Sequence, residues 1–242
     1  MVKFYESSYT YDYSFPAVTL AYFLRYPNPY STHVLSSDTI SRSIDPSTGQ
    51  LHTARIHRKS SRLPPAVLKL LPKSVLGSVV GGRSESYILE TSTIDVKEGW
   101  MRTESKNLDW TGILSVVETQ EYRRRVDRLE GLEDGVRAPI GDRTTGVVTT
   151  VMFRSQLGDR LRARARKGDG DEEEKKGFLA AWSTSGIQRS IEAIASRKTE
   201  NQLGKSKEGM MVVLERLRRG GLVAVLEGMR RDRESEGMWK KG

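Results

Sequence analysis

The stretch Arg25-Tyr26-Pro27-Asn28-Pro29-Tyr30, with Ser31-Thr32-His33 after it and the run Val34 to Arg42 beyond, decides how this chain turns. Ahead of it, Pro16 to Leu24 predicts a short helix, because Pro16 suits a first helical turn and Ala17, Leu20, Ala21 and Leu24 recur at one-face spacing. Pro27 and Pro29 stop that helix, and each biases the residue before it, Tyr26 and Asn28, toward extended backbone. The chain must therefore turn and leave as a strand, with Arg25 and His33 at the two ends of one rigid corner.

Strand patterns lie on both sides of the corner. Residues 2 to 14 alternate through Tyr9, Tyr11 and Tyr13, which suits a strand with one aromatic face. Val34 to Ile44 puts Leu35, Ser37, Thr39, Ser41 and Ser43 on one side, so that one face is small and hydroxylated. That face either meets solvent or walls a polar-ended cavity. Asp45-Pro46-Ser47-Thr48-Gly49 is a turn, and Gln50 to Lys59 returns as the second strand of a hairpin. Arg83 to Asp95, Trp100 to Asn107, Ile113 to Tyr122 and Thr144 to Leu157 predict four more strands, spaced for an antiparallel meander. Thr184 to Arg218 predicts a long helix with Ile187, Ile191, Ile194, Met210, Val213, Leu214 and Leu217 as its apolar positions.

Between these elements lie segments of other character. Leu63 to Pro72 is a short apolar run between prolines, continuing to Val80 and flanked by Arg58, Lys59, Arg62, Lys69 and Lys73. It is either a core helix or an amphipathic lid that enters a membrane interface. Arg123 to Arg143 reads as an extended surface loop. Gly158 to Gly177, where four arginines and Lys167 precede Asp169, Asp171 and Glu172 to Glu174, reads as disordered. The tail from Gly220 holds a brief apolar run and then charges, with no clear signal. The expectation is an α+β domain over residues 1–219, interrupted at 123–143 and 158–177, and a tail over 220–242. Its centre is a curved antiparallel sheet of about seven strands, covered by the long C-terminal helix.

Composition narrows the function classes. The chain has 242 residues, 36% hydrophobic and 29% charged, and a net charge of +9. An anionic partner is expected: a phosphate-bearing lipid surface, a nucleic acid or an acidic protein. No cysteine is present, which excludes disulfides, thiolate catalysis and cysteine-ligated zinc. The N-terminus, with Glu6 and Asp12 among its aromatics, fits neither a signal peptide nor an Arg-rich transit peptide. His33, His52 and His57 form no HExxH, no GxSxG or P-loop occurs, and His52 and His57 fall on opposite faces of a strand. No catalytic residue, metal or cofactor is expected. A basic nucleic-acid-binding protein or an interaction scaffold is the alternative; the basic residues are dispersed and no RNP or C2H2 pattern occurs, so no nucleic-acid partner is assigned.

One conflict is informative. Continuing the stripe Ile187, Ile191 and Ile194 in helical steps brings Lys198, Asn201 and Lys205 onto the same face. A lysine facing a sheet costs free energy unless an anion meets it. The other reading is a rotated or snorkelling arrangement with both lysines in water.

The runs RYPNPYSTHVLSSDTISR (25–42) and LHTARIHRKSSRLPP (51–65), with Lys106 to Ile113 and Gly186 to Arg218, resemble the PRELI/MSF1 family of mitochondrial lipid-transfer proteins, on the branch similar to the yeast phosphatidic acid carrier. The resemblance implies a lipid pocket between sheet and long helix, with Arg25, His33, Lys198 and Lys205 around the phosphate. It implies a lid that contacts the membrane through Lys59, Arg62, Leu63, Val67, Leu70 and Leu71; where this chain has Ala66, the family commonly has a bulky aromatic. It further implies phosphatidic acid as cargo, an anionic membrane surface, residence in the mitochondrial intermembrane space, and a small twin-CX9C helical-hairpin protein as one-to-one partner.

Overall fold

The computed structural model describes residues 2–62, 79–80, 83–109, 111, 114–125, 144–155 and 184–239, with backbone alone for 2–3, 61–62, 79–80, 83, 114, 155, 184–200 and 236–239. The strands are β1 (Val2–Tyr11), β2 (Val34–Ile44), β3 (Leu51–Arg62), β4 (Val79–Val80), β5 (Arg83–Asp95), β6 (Trp100–Asn107), β7 (Leu114–Arg125) and β8 (Thr144–Ser155). The helices are α1 (Phe15–Phe23) and α2 (Thr184–Trp239). All described pairings are antiparallel, in the order β1-β8-β7-β6-β5-β3-β2, with β4 beside the start of β5. This is the expected α+β sheet. Consecutive strands β1 and β2 occupy its opposite edges, so α1 and the proline corner carry the chain across one face. No helix among the described residues is long and apolar enough to cross a membrane.

Residues directly opposite in an antiparallel pair point to the same side, so the register aligns them into rows. Leu51, Ile94, Met101, Tyr122 and Val147 form one row. Tyr11 from β1, Phe15, Val18 and Tyr22 from α1, and Met210, Val213 and Leu214 from α2 join its core. The next row is Thr53, Ser92, Thr103, Gln120 and Thr149, and the one after is Arg55, Glu90, Ser105, Glu118 and Val151. Along the strands, the inner face thus passes from apolar through hydroxyl and amide to charged.

Several expectations change. In α1 the buried residues are Phe15, Val18, Thr19, Ala21 and Tyr22, while Leu20 is exposed. A helix this apolar on every side gives no directional stripe, and the large rings decide which side faces inward: Tyr22 meets Tyr122 edge-on at 5.6 Å. Strand β7 continues to Arg125, with Arg123 opposite Trp100 and Arg125 opposite Thr144, so the loop expected over 123–143 starts no earlier than 126. The rest of that loop and all of 158–177 lie outside the described residues. Strand β2 has bulges near Ser36 and between Thr39 and Ser41, and is exposed on both sides from Ser37 to Ile44. The hydroxyl face expected there meets solvent.

The tail is also structured. Helix α2 breaks at Gly220 and Gly221, where Gly221 has φ 62, and continues to Trp239. The two segments fold against each other: Arg216 pairs with Asp232 at 2.8 Å, and Val225 is fully buried in the main core. A straight helix would separate residues 16 apart by about 24 Å, so the break makes this contact possible. Leu222 and Leu226, exposed on this second segment, explain why its pattern was unreadable: only Val225 of the short apolar run faces inward.

Candidate functional site

The corner is built by short-range bonds. Asn28, 1% exposed, donates to the Arg25 carbonyl and accepts from the Tyr30 N–H at 2.8 Å. Ser31 N–H reaches the Asn28 carbonyl and Val34 N–H reaches the Ser31 carbonyl, at 3.1 and 2.9 Å. The His33 carbonyl accepts from Ser60 N–H at 2.8 Å, which ties the corner to β3. Helix α2 comes so close that a Cβ on Gly209 would lie 2.8 Å from the Asn28 side chain.

This corner sends Arg25 into the charged row. Glu90, 1% exposed, accepts from Arg25, from Arg55 Nε at 2.9 Å and from His57 Nε2 at 3.1 Å. Arg25 lies over the Tyr22 ring at 3.7 Å and near Tyr26 at 4.9 Å; Arg55 is 4.9 Å from the Phe23 ring and donates to the Phe23 carbonyl at 3.1 Å. Aromatic faces support each guanidinium where water is excluded. Burial works to raise the Glu90 carboxyl, but Arg25, the His57 hydrogen bond and Arg55 hold it well below the usual range. Burial lowers the His57 pKa, with Arg25 and Arg55 acting in the same direction against Glu90, so the imidazole favours its neutral form. Two guanidiniums then face one carboxylate, and the buried cluster carries one positive charge in excess. Arg25 Nε, His57 Nδ1 and Thr149 Oγ1 are buried without a hydrogen-bond partner.

A second arrangement borders it on β7. Tyr122 Oη donates to Gln120 Oε1 at 2.6 Å, and Gln120 Nε2 donates to Glu118 Oε1 at 2.8 Å. These residues share the inward side of one strand, so the relay leads from the apolar core to a carboxylate in the charged row. Burial raises the Glu118 pKa, opposed by Lys59 and Arg25 and reinforced by Glu90. What this end of the face can do is hold an anion, given its spare positive charge and the unpaired Arg25 Nε–H.

The expected site residues fare differently. Arg25 is at the centre of the cluster, and His33 stands half-buried just before β2, its carbonyl bonded to Ser60 N–H of β3. Lys59 is half-buried, and Arg62 ends β3. Lys205 is exposed on α2, as is Asn201, because the helix turns Leu203, Ser206, Met210, Val213 and Leu214 inward. The projected basic stripe is corrected there; the Lys198 side chain, and Leu63, Val67, Leu70 and Leu71, lie outside the described residues. His52 bonds Thr93 at 3.0 Å while His57 meets Glu90, so the two imidazoles face opposite sides as expected. Sequence reading missed Arg55, His57, Glu90 and Glu118 as a group. Two signals were there: a lone carboxylate after Tyr87-Ile88-Leu89, and Arg55 and His57 alternating on one face of a strand.

A family model described as the PRELI-like family matches residues 16–130. Protein UPS1, mitochondrial, of Saccharomyces cerevisiae is 36% identical over 153 residues, covering 59% of this chain and 82% of that protein. PRELI domain-containing protein 1, mitochondrial, of Bos taurus is 34% identical over 127 residues, covering 52% of this chain and 54% of that protein. Of that second relative the chain thus matches little more than half. Among solved structures, the Zhui aromatase/cyclase of Streptomyces sp. R1128 overlaps 91% of this chain and 98% of its own, with 12% identity and a TM-score of 0.44, a likeness too distant to bear on chemistry. With more than four-fifths of the yeast relative covered at that identity, the chain belongs to the PRELI-like family.

Proposed function

We propose that this protein is a mitochondrial lipid carrier of the intermembrane space that takes up phosphatidic acid and moves it from the outer to the inner membrane, where it supports cardiolipin synthesis. The work is binding and release, with no covalent step. The observation that carries this reading is the excess positive charge at the buried end of an inner face whose other end is apolar. An amphiphile with a phosphate head matches that gradient: a phosphate monoester brings up to two negative charges and several acceptor oxygens. The named relatives, both labelled mitochondrial, support a mitochondrial location.

In this reading Arg25, His33 and Lys198 hold the phosphate with Arg55 behind them, while Lys205, exposed on α2, is left out of the set. Lys59, half-buried on β3, stands at the root of the lid and faces the phosphate end, while Arg62, with Leu63, Val67, Leu70 and Leu71, forms the lid that meets an anionic membrane. The small twin-CX9C helical-hairpin protein is the stabilising partner, in a one-to-one complex.

The test is lipid retention. Purified protein is incubated with liposomes containing phosphatidic acid, phosphatidylserine and phosphatidylcholine, re-isolated, and its lipid extracted. Phosphatidic acid is expected to be retained in near-equimolar amount. Lys198→Glu should lower retention by about ten- to a hundredfold, the worth of one charge-assisted contact. Arg160→Glu and Arg164→Glu, the same charge change in the 158–177 segment, should not. Equal losses in all three would make the positive charge a diffuse membrane attractant. No retained lipid, together with a salt-sensitive shift of an oligonucleotide, would turn the reading to nucleic-acid binding.

A further inference from the structure

Glu118 is unusual among the acidic residues of the inner face. It stands in the charged row between Ser105 and Val151, on the side that faces the corner, yet no arginine is paired with it among the described ion pairs. Its Oε1 is fixed by Gln120, itself 6% exposed and fixed by Tyr122, 2% exposed, so the carboxyl cannot swing away without breaking a buried relay. The charged and titratable groups that act at this point come from several elements. Lys59 comes from β3, Arg25 from the corner, Glu90 from β5 and Tyr9 from β1. Lys207 of α2 lies 5.3 Å from the Tyr9 ring; Ser105 and Val151, opposite Glu118 on β6 and β8, are uncharged.

The charges at this end of the inner face nearly balance. Arg25, Arg55 and Lys59 face Glu90 and Glu118, which leaves one positive charge when both carboxylates are ionised. Glu90 is committed to its hydrogen bonds. Glu118 is the carboxylate free to change, because its only described bond, from Gln120, can be accepted equally by a neutral acid.

We infer that Glu118 is the pocket's own counter-anion. Its carboxylate balances Arg25 and Lys59 until an anionic headgroup engages them, and then takes up a proton from water, so that capture consumes one proton and release returns it. The inference rests on the phosphate site proposed above. Its physical basis is that two anions cannot share the same cations in a partly dry site without one of them losing charge. Burial already raises the Glu118 carboxyl, and an anion beside it acts in the same direction. Linkage then requires anion affinity to rise as pH falls.

The probe is dihexanoyl phosphatidic acid, titrated calorimetrically into the full chain in two buffers of different ionisation enthalpy, between about pH 6 and 7.5. Wild type is expected to take up close to one proton more than Glu118→Gln, and the variant to bind about tenfold tighter at neutral pH with a flatter profile, one pK unit being tenfold. The lipid's own titration is common to both proteins and cancels. Equal proton counts with binding intact overturn the role of Glu118 and leave the carrier reading standing. A wild type that binds no phosphatidic acid at any pH overturns both. Should Glu118→Gln fail to fold, wild type carrying 13C-labelled glutamate decides: lipid binding must produce a protonated-carboxyl infrared band, and its absence sinks the proposal.

Discussion

Among the described residues, two carboxylates each lie between two guanidiniums. Glu90 takes Arg25 and Arg55, with side-chain exposures of 1%, 11% and 5%. Glu215 takes Arg218 and Arg219 on the outside of α2, at 37%, 64% and 74%. The partners of Glu215 are three and four residues away on one helix, and those of Glu90 are 65 and 35 away on other elements. The same chemistry thus performs two different tasks. In water, attraction is screened and ordering two long side chains offsets most of it. In the dry interior the ions have lost their hydration, and each depends on the other to remain there.

The largest effect should follow from Glu90→Gln, which keeps the shape and removes the charge. Arg25 and Arg55 would then be buried against one another with no anion. Breaking such a pair from one side costs about 3–5 kcal/mol, read as a fall in the denaturant midpoint at unchanged slope. A loss below about 1 kcal/mol would mean that water or an anion already serves these arginines. Wild type should also show an acid limb that this variant lacks. The folded-state pKa of Glu90 lies below its unfolded value, so its contribution is complete above about pH 4.5 and fades as pH falls toward the folded value. His57, also held low, acts in the same direction below about pH 6.5, since the unfolded chain takes the proton first.

A smaller effect is expected at Gly209, where α2 meets the corner that aims Arg25. Its added Cβ would sit 2.8 Å from both Asn28 Nδ2 and Oδ1, and Asn28 is bonded inside the corner and cannot retreat. Gly209→Ala should therefore cost about 1–3 kcal/mol, as overpacking does, although alanine is the better helix former. If melting shows a gain, the corner is softer than its hydrogen bonds imply. Phosphatidic acid retention should fall with stability here, because the same corner positions Arg25.

How much of this could be read from the sequence depends on the range of the cause. The corner, the strands and the apolar positions Met210, Val213 and Leu214 follow from proline restriction and from periods of two and 3.6 residues, all of which act locally. The facing of α1 did not, because Ala17, Val18, Leu20 and Ala21 leave no polar side to orient it. Arg25 could be singled out because it borders the prolines. Its partners could not, since Arg55, His57 and Glu90 meet only through the register of β3 on β5. Lys205 falls outward for a related reason: Leu203, Ser206 and Met210 set the inward side there, and a short error in helical phase turns an inward residue outward.

The smallest effect should come from Glu215→Gln, the surface counterpart of the Glu90 change. Three terms decide it. Each lost pair on a helix is worth about 0.3–0.5 kcal/mol in low salt. Glutamine is nearly as good a helix former as glutamate, so propensity contributes little. Freed from Glu215, Arg218 and Arg219 lie near the C-terminal end of the first segment of α2, before the break at Gly220, where positive charge is favoured by the helix dipole; that offsets part of the loss. A net change of about 0.5 kcal/mol or less is expected, shrinking as salt is raised across a Debye length of about 10 Å at 0.1 M. The Glu90 change should hardly respond to salt, since its ions are out of reach of counterions. Comparable losses at Glu215 and Glu90, or an equal salt response, would show that burial is not what separates the two carboxylates, and the desolvated cluster would lose its standing as the place where an anion is held.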